Sequence, residues 1–397
     1  VRSKKIARQS GSRCAVKKTM QRKHLQFAIA LLAAAAAASA QTATPHIYRS
    51  GDEWVMETQG SLPAAKKILI KTSAGFIHIQ GAAQSNISYV ARKHVRAVSE
   101  EAARREFTRL HVTSSNSVEQ SAIHGDSDNL SRGGIDFEVR VPARTLLVRL
   151  ETKGGAVAAS HIDGRVSAAT GGGAIHLDEI SEDASASSGG GDIEVGTIGG
   201  NVKVETGGGD IHIGSAGGQV VAMSGGGALV IGAARTMVLE TGGGSIRVSK
   251  CGGTLKASSG GGTIQLNEVS GHAVVKNGGG SIHLGPVSGG VRAETGSGPI
   301  IVDLAATKGN FTDSQVETSA GDIIVYVPDD LGVNIRAAIE AANGLGIRSD
   351  FPALKITGAD RQWGPHEAFA EGSLNGGGPL LHVHTATGNI EIKRKTK

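Results

Sequence analysis

Between residues 153 and 295 the chain repeats one glycine-punctuated phrase with a period of about 18 residues. One copy, at 225–241, is a single residue shorter. The copies begin at Lys153, Gly171, Gly189, Gly207, Gly225, Gly242, Gly260 and Gly278. Apolar residues recur at positions 5, 7, 10, 14 and 16, as Ile193, Val195, Ile198, Val202 and Val204 do in the third copy. Positions 5/7 and 14/16 alternate with the period of a strand, and glycines separate the two runs. Each copy therefore reads as two short strands and two turns. Such a unit buries too little apolar surface to stand alone. Only copies above and below it supply backbone partners and a continuous core. The repeat dictates an all-β parallel solenoid, with coils of about 18 residues stacked about 4.8 Å apart.

The 397 residues include 59 glycines and only 3% aromatics, and no Phe, Trp or Tyr falls within 153–295. Aromatics lie before and after, where a solenoid must close its ends. The expected organisation is a leader (1–40), an N-terminal cap with degenerate first coils (41–152), the regular solenoid (153–295), and C-terminal coils with insertions and a cap (296–397). KTSAGFIHIQG (71–81) is one repeat-like phrase, and IDFEVRVP (135–142) alternates as a strand. Ser99 to Leu110 reads as a short capping helix with Ser99 as N-cap and acids in the first turn. Its Ala103, Phe107 and Leu110 share the face that would cover the first coil. Beyond 295, TSAGDIIVYVP (318–328) and TATGNIEIK (385–393) restate the phrase.

The net charge of +5 belongs to the leader: nine of the 41 Lys and Arg lie in residues 1–40, with none of the 36 acids. The rest of the chain carries a net −4, so nothing points to nucleic acid. Arg22, Lys23 and His24, the apolar run from Leu25 to about Ala38, and Ala38-Ser39-Ala40 have the three parts of a secretory signal. Met20 is a natural start within this leader, and the expected mature N-terminus is Gln41. Cys14 precedes the cleavage site, which leaves Cys251 as the mature chain's one thiol. No later apolar stretch reaches membrane-spanning length.

At these residues the chain resembles the bacterial putative-adhesin domain-of-unknown-function family, glycine-rich secreted β-solenoid proteins. The resemblance covers about residues 61–395. It rests on Val139-Arg-Val-Pro142 before the first coil, the repeated T/S-x-G-x-I-x-L phrase, and a closing pattern. That pattern reads Val327-Pro328, Asn343-Gly344, Asp350-Phe351-Pro352, then GSLNGGGPLLHVHTATGNIEI (372–392). The resemblance implies a right-handed parallel β-solenoid exported from the cytoplasm, and it carries over no catalytic residue.

Glycine triplets suggest a phosphate loop, but such a loop opens a helix, and here every triplet opens a strand. The expectation is structural glycine: turns needing positive φ, and close coil packing. Calcium-binding β-rolls need an acid in every turn. Position 4 offers Asp192, Asp210 and Asp322 but Ala156, Ala174, Ala228, Ser245, Thr263 and Ser281 elsewhere, which leaves at most an isolated site near Asp192 and Asp210. His176 and His212 stand two coils apart, roughly 9.6 Å, too far to share a zinc ion. His382 and His384 share a strand face without an evident third ligand. Cys251 occupies inward position 10 as a buried small hydrophobe.

No carboxylate pair or nucleophile triad is legible, so the chain reads as non-enzymatic, without cofactor or metal. The alternatives are a carbohydrate-active β-helix enzyme, lyase or hydrolase, and a calcium-stabilised β-roll. Val221, Met223 and Val238 are apolar at outward positions of adjacent coils. They form either a partner surface or a seat for a C-terminal insertion. With Trp363, they are the candidate interaction residues. Trp54, Tyr326 and Phe351 mark the ends as further binding surfaces. The expected role is an exported adhesin-like or envelope scaffold protein, periplasmic or at the cell surface. Its partner would be an envelope, matrix or surface component, or a second copy of itself.

Overall fold

The alternation within each repeat becomes burial. Ile193, Val195 and Ile198 point inward from one strand and Val202 and Val204 from the next, all at most 2% exposed, while Glu194, Lys203 and Glu205 face out. The computed structural model describes residues 46–127, 133–307, 309–358 and 366–395. The leader, Cys14, Met20, the Gln41 cleavage site and Trp363 lie outside them. Within the described residues there are 34 strands and one helix, with 17 strands in each of two long, mostly parallel sheets. No described helix is long and apolar enough to cross a membrane.

Through the shaft, the first sheet takes the strand that opens each repeat and the second takes the strand that closes it. Ile193 pairs with Ile211 and Ile175 in the first sheet, and Val202 with Val220 and Ala184 in the second. Like residues therefore stack on like, and the inward columns merge into one continuous core. Cys251 sits fully buried in the position-10 column between Ala234 and Val269. Burial raises its thiol pKa, which leaves it unreactive.

Position 18, where the second strand ends, carries a feature absent from the apolar pattern: a buried polar column. Thr170, Ser188, Thr206, Ser224, Thr241, Ser259, Asn277 and Thr295 are each at most 7% exposed. Each bonds across the corner between stacked coils. Thr206 Oγ1 donates to the Gly191 carbonyl at 2.8 Å and accepts from the Gly209 amide at 3.3 Å. Ser188 and Ser224 make the same pair of bonds, to Gly173 and Gly191 and to Gly209 and Gly227 respectively. Asn277 substitutes its amide nitrogen, 2.7 Å from the Gly262 carbonyl. The column satisfies turn groups that the two ladders leave behind.

The glycine triplets serve this corner, and they correct one expectation. None of the triplet glycines from Gly171 to Gly280 has positive φ; the requirement is space. A Cβ on Gly191 would collide with the Gly173 carbonyl, and one on Gly209 with the Gly191 carbonyl. The first glycine of each triplet is similarly crowded, as Gly189 is by Gly171. The middle glycine, such as Gly190, meets nothing within 4 Å.

At both ends the chain order and the stacking order part company. β1 (His46–Ser50), β2 (Glu53–Pro63), β3 (Lys67–Thr72), β4 (Ile77–Ala82), β5 (Asn86–Val95), helix α1 (Glu100–Phe107), β6 (His111–Asn116), β7 (Gln120–Asp126), β8 (Gly133–Pro142), β9 (Leu147–Thr152) and β10 (Val157–Ile162) form the N-terminal end. The coil β3–β4 lies between β9–β10, which continues the shaft, and β7–β8, which covers it: Ile68 pairs with both Val148 and Ser121, and Ile77 with both Val157 and Phe137. Antiparallel β5, β2 and β1 extend the first sheet beyond β8, and β6 extends the second.

Strands β11 to β26 fill the shaft between Arg165 and Leu304. The C-terminal end then repeats the device with β27 (Ser314–Ala320), β28 (Ile323–Val327), β29 (Val333–Ile339), β30 (Ile347–Ser349), β31 (Lys355–Thr357), β32 (Ala368–Leu374), β33 (Leu380–Thr387) and β34 (Ile390–Arg394). The last coil, β33–β34, inserts between β27–β28 and β29–β30. Antiparallel β32 and β31 cover the outer edge of β29.

Helix α1 forms as expected. The Ser99 side chain accepts from the Ala102 amide, Glu100 and Glu101 fill the first turn, and Ala103, Phe107 and Leu110 are buried. Its seat differs from the expected one. It packs on the antiparallel strands β5 and β2, because those strands, not the first coil, present the open apolar face.

The corner geometry sets the cost of substitution there. Gly191→Ala should cost about 2 kcal/mol or more by forcing backbone apart, while Gly190→Ala stays within about 0.5 kcal/mol. Denaturant titration of the pair checks this. Thr206→Val should cost about 1–3 kcal/mol by stranding the Gly191 carbonyl and Gly209 amide. Thr206→Ser, which restores the residue type at Ser188 and Ser224, should cost well under about 1 kcal/mol.

Candidate functional surface

The second sheet shows one side to the core and the other to solvent, and its strand register aligns outward positions 15 and 17 into two columns. From β9 to β29 the position-15 column carries Arg149, Lys203, Lys256, Arg292 and Arg336 and no acid. The position-17 column carries Glu151, Glu205, Glu240, Glu294 and Glu317, with Lys276 as its single Lys or Arg and His384 beside Glu317. One face thus holds a basic stripe beside an acidic one.

Contacts within the face follow from this register. Arg149 Nε lies 2.6 Å from Glu151 Oε1, and Arg292 Nε 2.6 Å from Glu294 Oε1. Lys276 Nζ reaches Glu294 from the neighbouring strand at 3.2 Å. The Arg292 hydrogen bond, with Lys276 adding to it, holds the Glu294 carboxyl below the ordinary carboxylate range. Burial works to raise Glu151, but Arg149 and Lys71 together bring it below that range.

Val221, Met223 and Val238 interrupt both stripes. Val221 and Val238 are direct ladder partners, and Met223 lies beside them on the strand of Val221. All three are half-buried, and Lys203, Glu205, Glu240 and Lys256 surround them. The C-terminal insertion pairs with β29 at the far end of the sheet. Its strands do not sit on this patch.

Towards the C-terminal end, the inserted β33 brings His382 and His384 between Glu317 and Glu340. His382 Nδ1 lies 3.4 Å from Glu317 Oε1 and His384 Nε2 3.1 Å from Glu340 Oε1, with the two rings stacked 6.2 Å apart. Glu317 and Glu340 are the neighbours that sequence reading misses. No local signal points to them, since β33 reaches them by inserting between two strands that lie far earlier in the chain. Among the described residues, no group of three or more His, Cys, Asp or Glu is arranged to hold a metal ion.

No family model matches this chain, and no curated protein matches it. A solved structure of a "putative cell adhesion protein" from Clostridium sporogenes aligns over 85% of this chain and 100% of its own, at 11% identity and a TM-score of 0.19. Function has to be argued from the surface itself.

Other candidate positions have structural tasks. Asp192 Oδ1 accepts from the Asp210 amide at 2.8 Å, and Asp210 Oδ1 from the Ala228 amide at 2.7 Å. Asp322 does the same for Asn389. These carboxylates cap the amide of the coil above. His176 pairs with Glu194 at 3.2 Å, the residue between it and His212 in the outward column. Trp54 packs against the core and donates its Nε1 to the Ala97 carbonyl. Phe351 is buried with the Arg394 guanidinium 5.2 Å from its ring centre. Tyr326 alone of these aromatics lines an open groove, on the first sheet, with His283, Ile301 and Asp303. Lys395 spans that groove, 2.6 Å from Asp303 Oδ1.

At the N-terminal cap, Arg92 bridges β2 and β8 through Glu57 (3.2 Å) and Glu138 (2.7 Å). Next to it, His94 Nε2 stands 3.6 Å from Asp136 and Nδ1 3.3 Å from Glu53. Asp136 first, then Glu53, hold the imidazole pKa above its ordinary value, against the opposing effect of burial. A raised folded-state pKa means that this cluster stabilises the cap below pH ~6.5 and loses that contribution as pH rises through the folded value. His94→Gln should therefore lower the melting temperature more at pH 5.5 than at pH 8.5; equal losses at both would contradict this.

Proposed function

We propose that this chain is an exported, non-enzymatic protein of the adhesin-like solenoid type, working as a contact or scaffold element of the cell envelope. In this reading the two sheets wind as a right-handed solenoid of about 18 residues per coil. The outward face of the second sheet is the contact surface. The observation that carries the reading is the double stripe. Side chains of one charge sign recur along the shaft on a rigid lattice with a spacing of about 4.8 Å between strands. Individually weak contacts on such a lattice add by multivalency. The candidate residues for chemistry are otherwise engaged: Asp192, Asp210 and Asp322 cap amides, Cys251 is buried, and His176, His382 and His384 pair with glutamates. The secretory leader read from Arg22 to Ala40 supplies the route of export.

Fractionation of a producing bacterium tests the reading. The chain should be exported and retained on isolated envelopes. Retention should fall several-fold between 0.05 and 0.5 M salt, because exposed charges are screened at that ionic strength. Reversing Arg292 and Lys256 to Glu should weaken retention similarly. Retention indifferent to both, or turnover of a polysaccharide abolished by one carboxylate substitution, would overturn the proposal.

A further inference from the structure

We infer that the partner of this face is a second copy of the same chain, packed face to face about a two-fold axis that runs parallel to the shaft. The inference rests on reading the face as a contact surface and adds what it contacts.

The charge pattern selects this arrangement. In a two-fold dimer the same patch meets itself, so the patch must be self-complementary. An axis across the shaft keeps each residue's place along its strand, and sets the basic column on the partner's basic column. Centred on Val221 and Val238, that arrangement would bring Lys203 against Lys256. An axis along the shaft exchanges the two columns and leaves each residue at its own level. Arg149 then meets Glu151 of the partner subunit, Lys203 meets the partner's Glu205, and Arg292 meets the partner's Glu294. At the centre Val221 lies over the partner's Met223, and on the next strand Val238 faces the partner's Glu240. Within one chain Arg149 and Glu151, and Arg292 and Glu294, already sit side by side, so pairing across the axis exchanges partners at these levels, while Glu240, Lys256 and Lys276 face the partner's Val238, the partner's Ser258 and the partner's Val274.

The area is sufficient. Ten strands, from Leu147–Thr152 to Ser314–Ala320, present the columns. At strand spacings of about 4.8 Å and strand lengths of roughly 17 Å they offer on the order of 800 Å², close to the roughly 800 Å² per partner of a stable interface. Small outward residues help. Ser167, Ala169, Ser185 and Ser187 let the sheets approach between the charged levels.

Sedimentation velocity on the full chain at tens of micromolar tests the inference. A dimer is expected at low salt. Lys203→Glu with Arg292→Glu should raise its Kd at least about tenfold through like-charge contacts made twice. Adding Glu205→Lys and Glu294→Arg, which exchanges the columns at both levels, should restore it. Independently, an oxidised mixture of Val221→Cys and Met223→Cys chains should form a mixed disulfide, and a mixture of Val221→Cys and Val238→Cys chains should not.

A chain monomeric at every salt concentration, a four-fold variant that fails to recover, or cross-linking of 221 to 238 instead of 223 each overturns the inference. If the chain is monomeric while charge reversal still lowers envelope retention, self-pairing falls and the contact-surface reading stands. If retention is also unchanged, both fall.

Discussion

Each time the chain passes from the second sheet back to the first, it runs so close over the coil beneath that one carbonyl points at the next α-carbon. Everything regular in the structure depends on that corner. The carbonyl of Gly191 lies where a side chain on Gly209 would sit, and it also takes the Thr206 hydroxyl. A hydrogen bond and an absent methyl group occupy the same few ångströms. The corner therefore sets stacking height, register and residue type together. The apolar core is comparatively permissive: Ile, Val, Leu, Ala, Met and Cys all serve at its inward positions.

A stack with this geometry has no natural stop, and the ends show how it is stopped. Simple truncation would leave an open coil whose backbone groups invite further pairing. Here the terminal coils are not the first and last in space. β3–β4 and β33–β34 are each clamped between two others, and antiparallel strands face outward in their place. Opening either end requires breaking two interfaces for each coil released, which suppresses fraying. The interlacing also ties the caps to contacts far apart in sequence. β33 meets strands that precede it by several intervening elements, so this end closes only after the intervening chain is placed.

That contrast separates what is legible in the sequence from what is not. The strands, inward columns, helix cap and buried Cys251 are legible because they depend on local period and repeat. The polar column at position 18 is printed in every copy as Thr, Ser or Asn. It looks like turn composition, since a hydroxyl's partner cannot be inferred from its spacing. The glycines read as structural for a reason that is half right: close packing holds, positive φ does not. At the candidate surface, Val221, Met223 and Val238 are visible as apolar residues at outward positions. The acids beside His382 and His384 are hidden by the insertion of β33, which no periodicity announces. The stripes are hidden in a different way. Arg149 and Glu151 look like an ordinary i, i+2 pair until register stacks them under Lys203 and Glu205.

Where the corner and core prescribe residue type, the outward positions are what remains free to vary, and variation there is not random in sign. Solubility alone asks for mixed charges on a strand surface, and intrachain pairing asks only that opposite charges be neighbours. Neither requires every Lys and Arg of the second-sheet strands from β9 to β29 except Arg165 and Lys276 to stand at position 15, and every Glu at position 17. An alternating arrangement would satisfy both and would spread the field more evenly. Segregated columns make a surface complementary to its own image after the columns are exchanged, and repulsive to that image otherwise. Repulsion against wrong registers is as much a part of specificity as attraction in the right one. On a shaft whose rungs are nearly identical, sliding by one coil would leave the apolar and hydrogen-bonding surfaces almost unchanged. The uneven spacing of the charged levels, Glu151 to Glu205 to Glu294, distinguishes one alignment from the next.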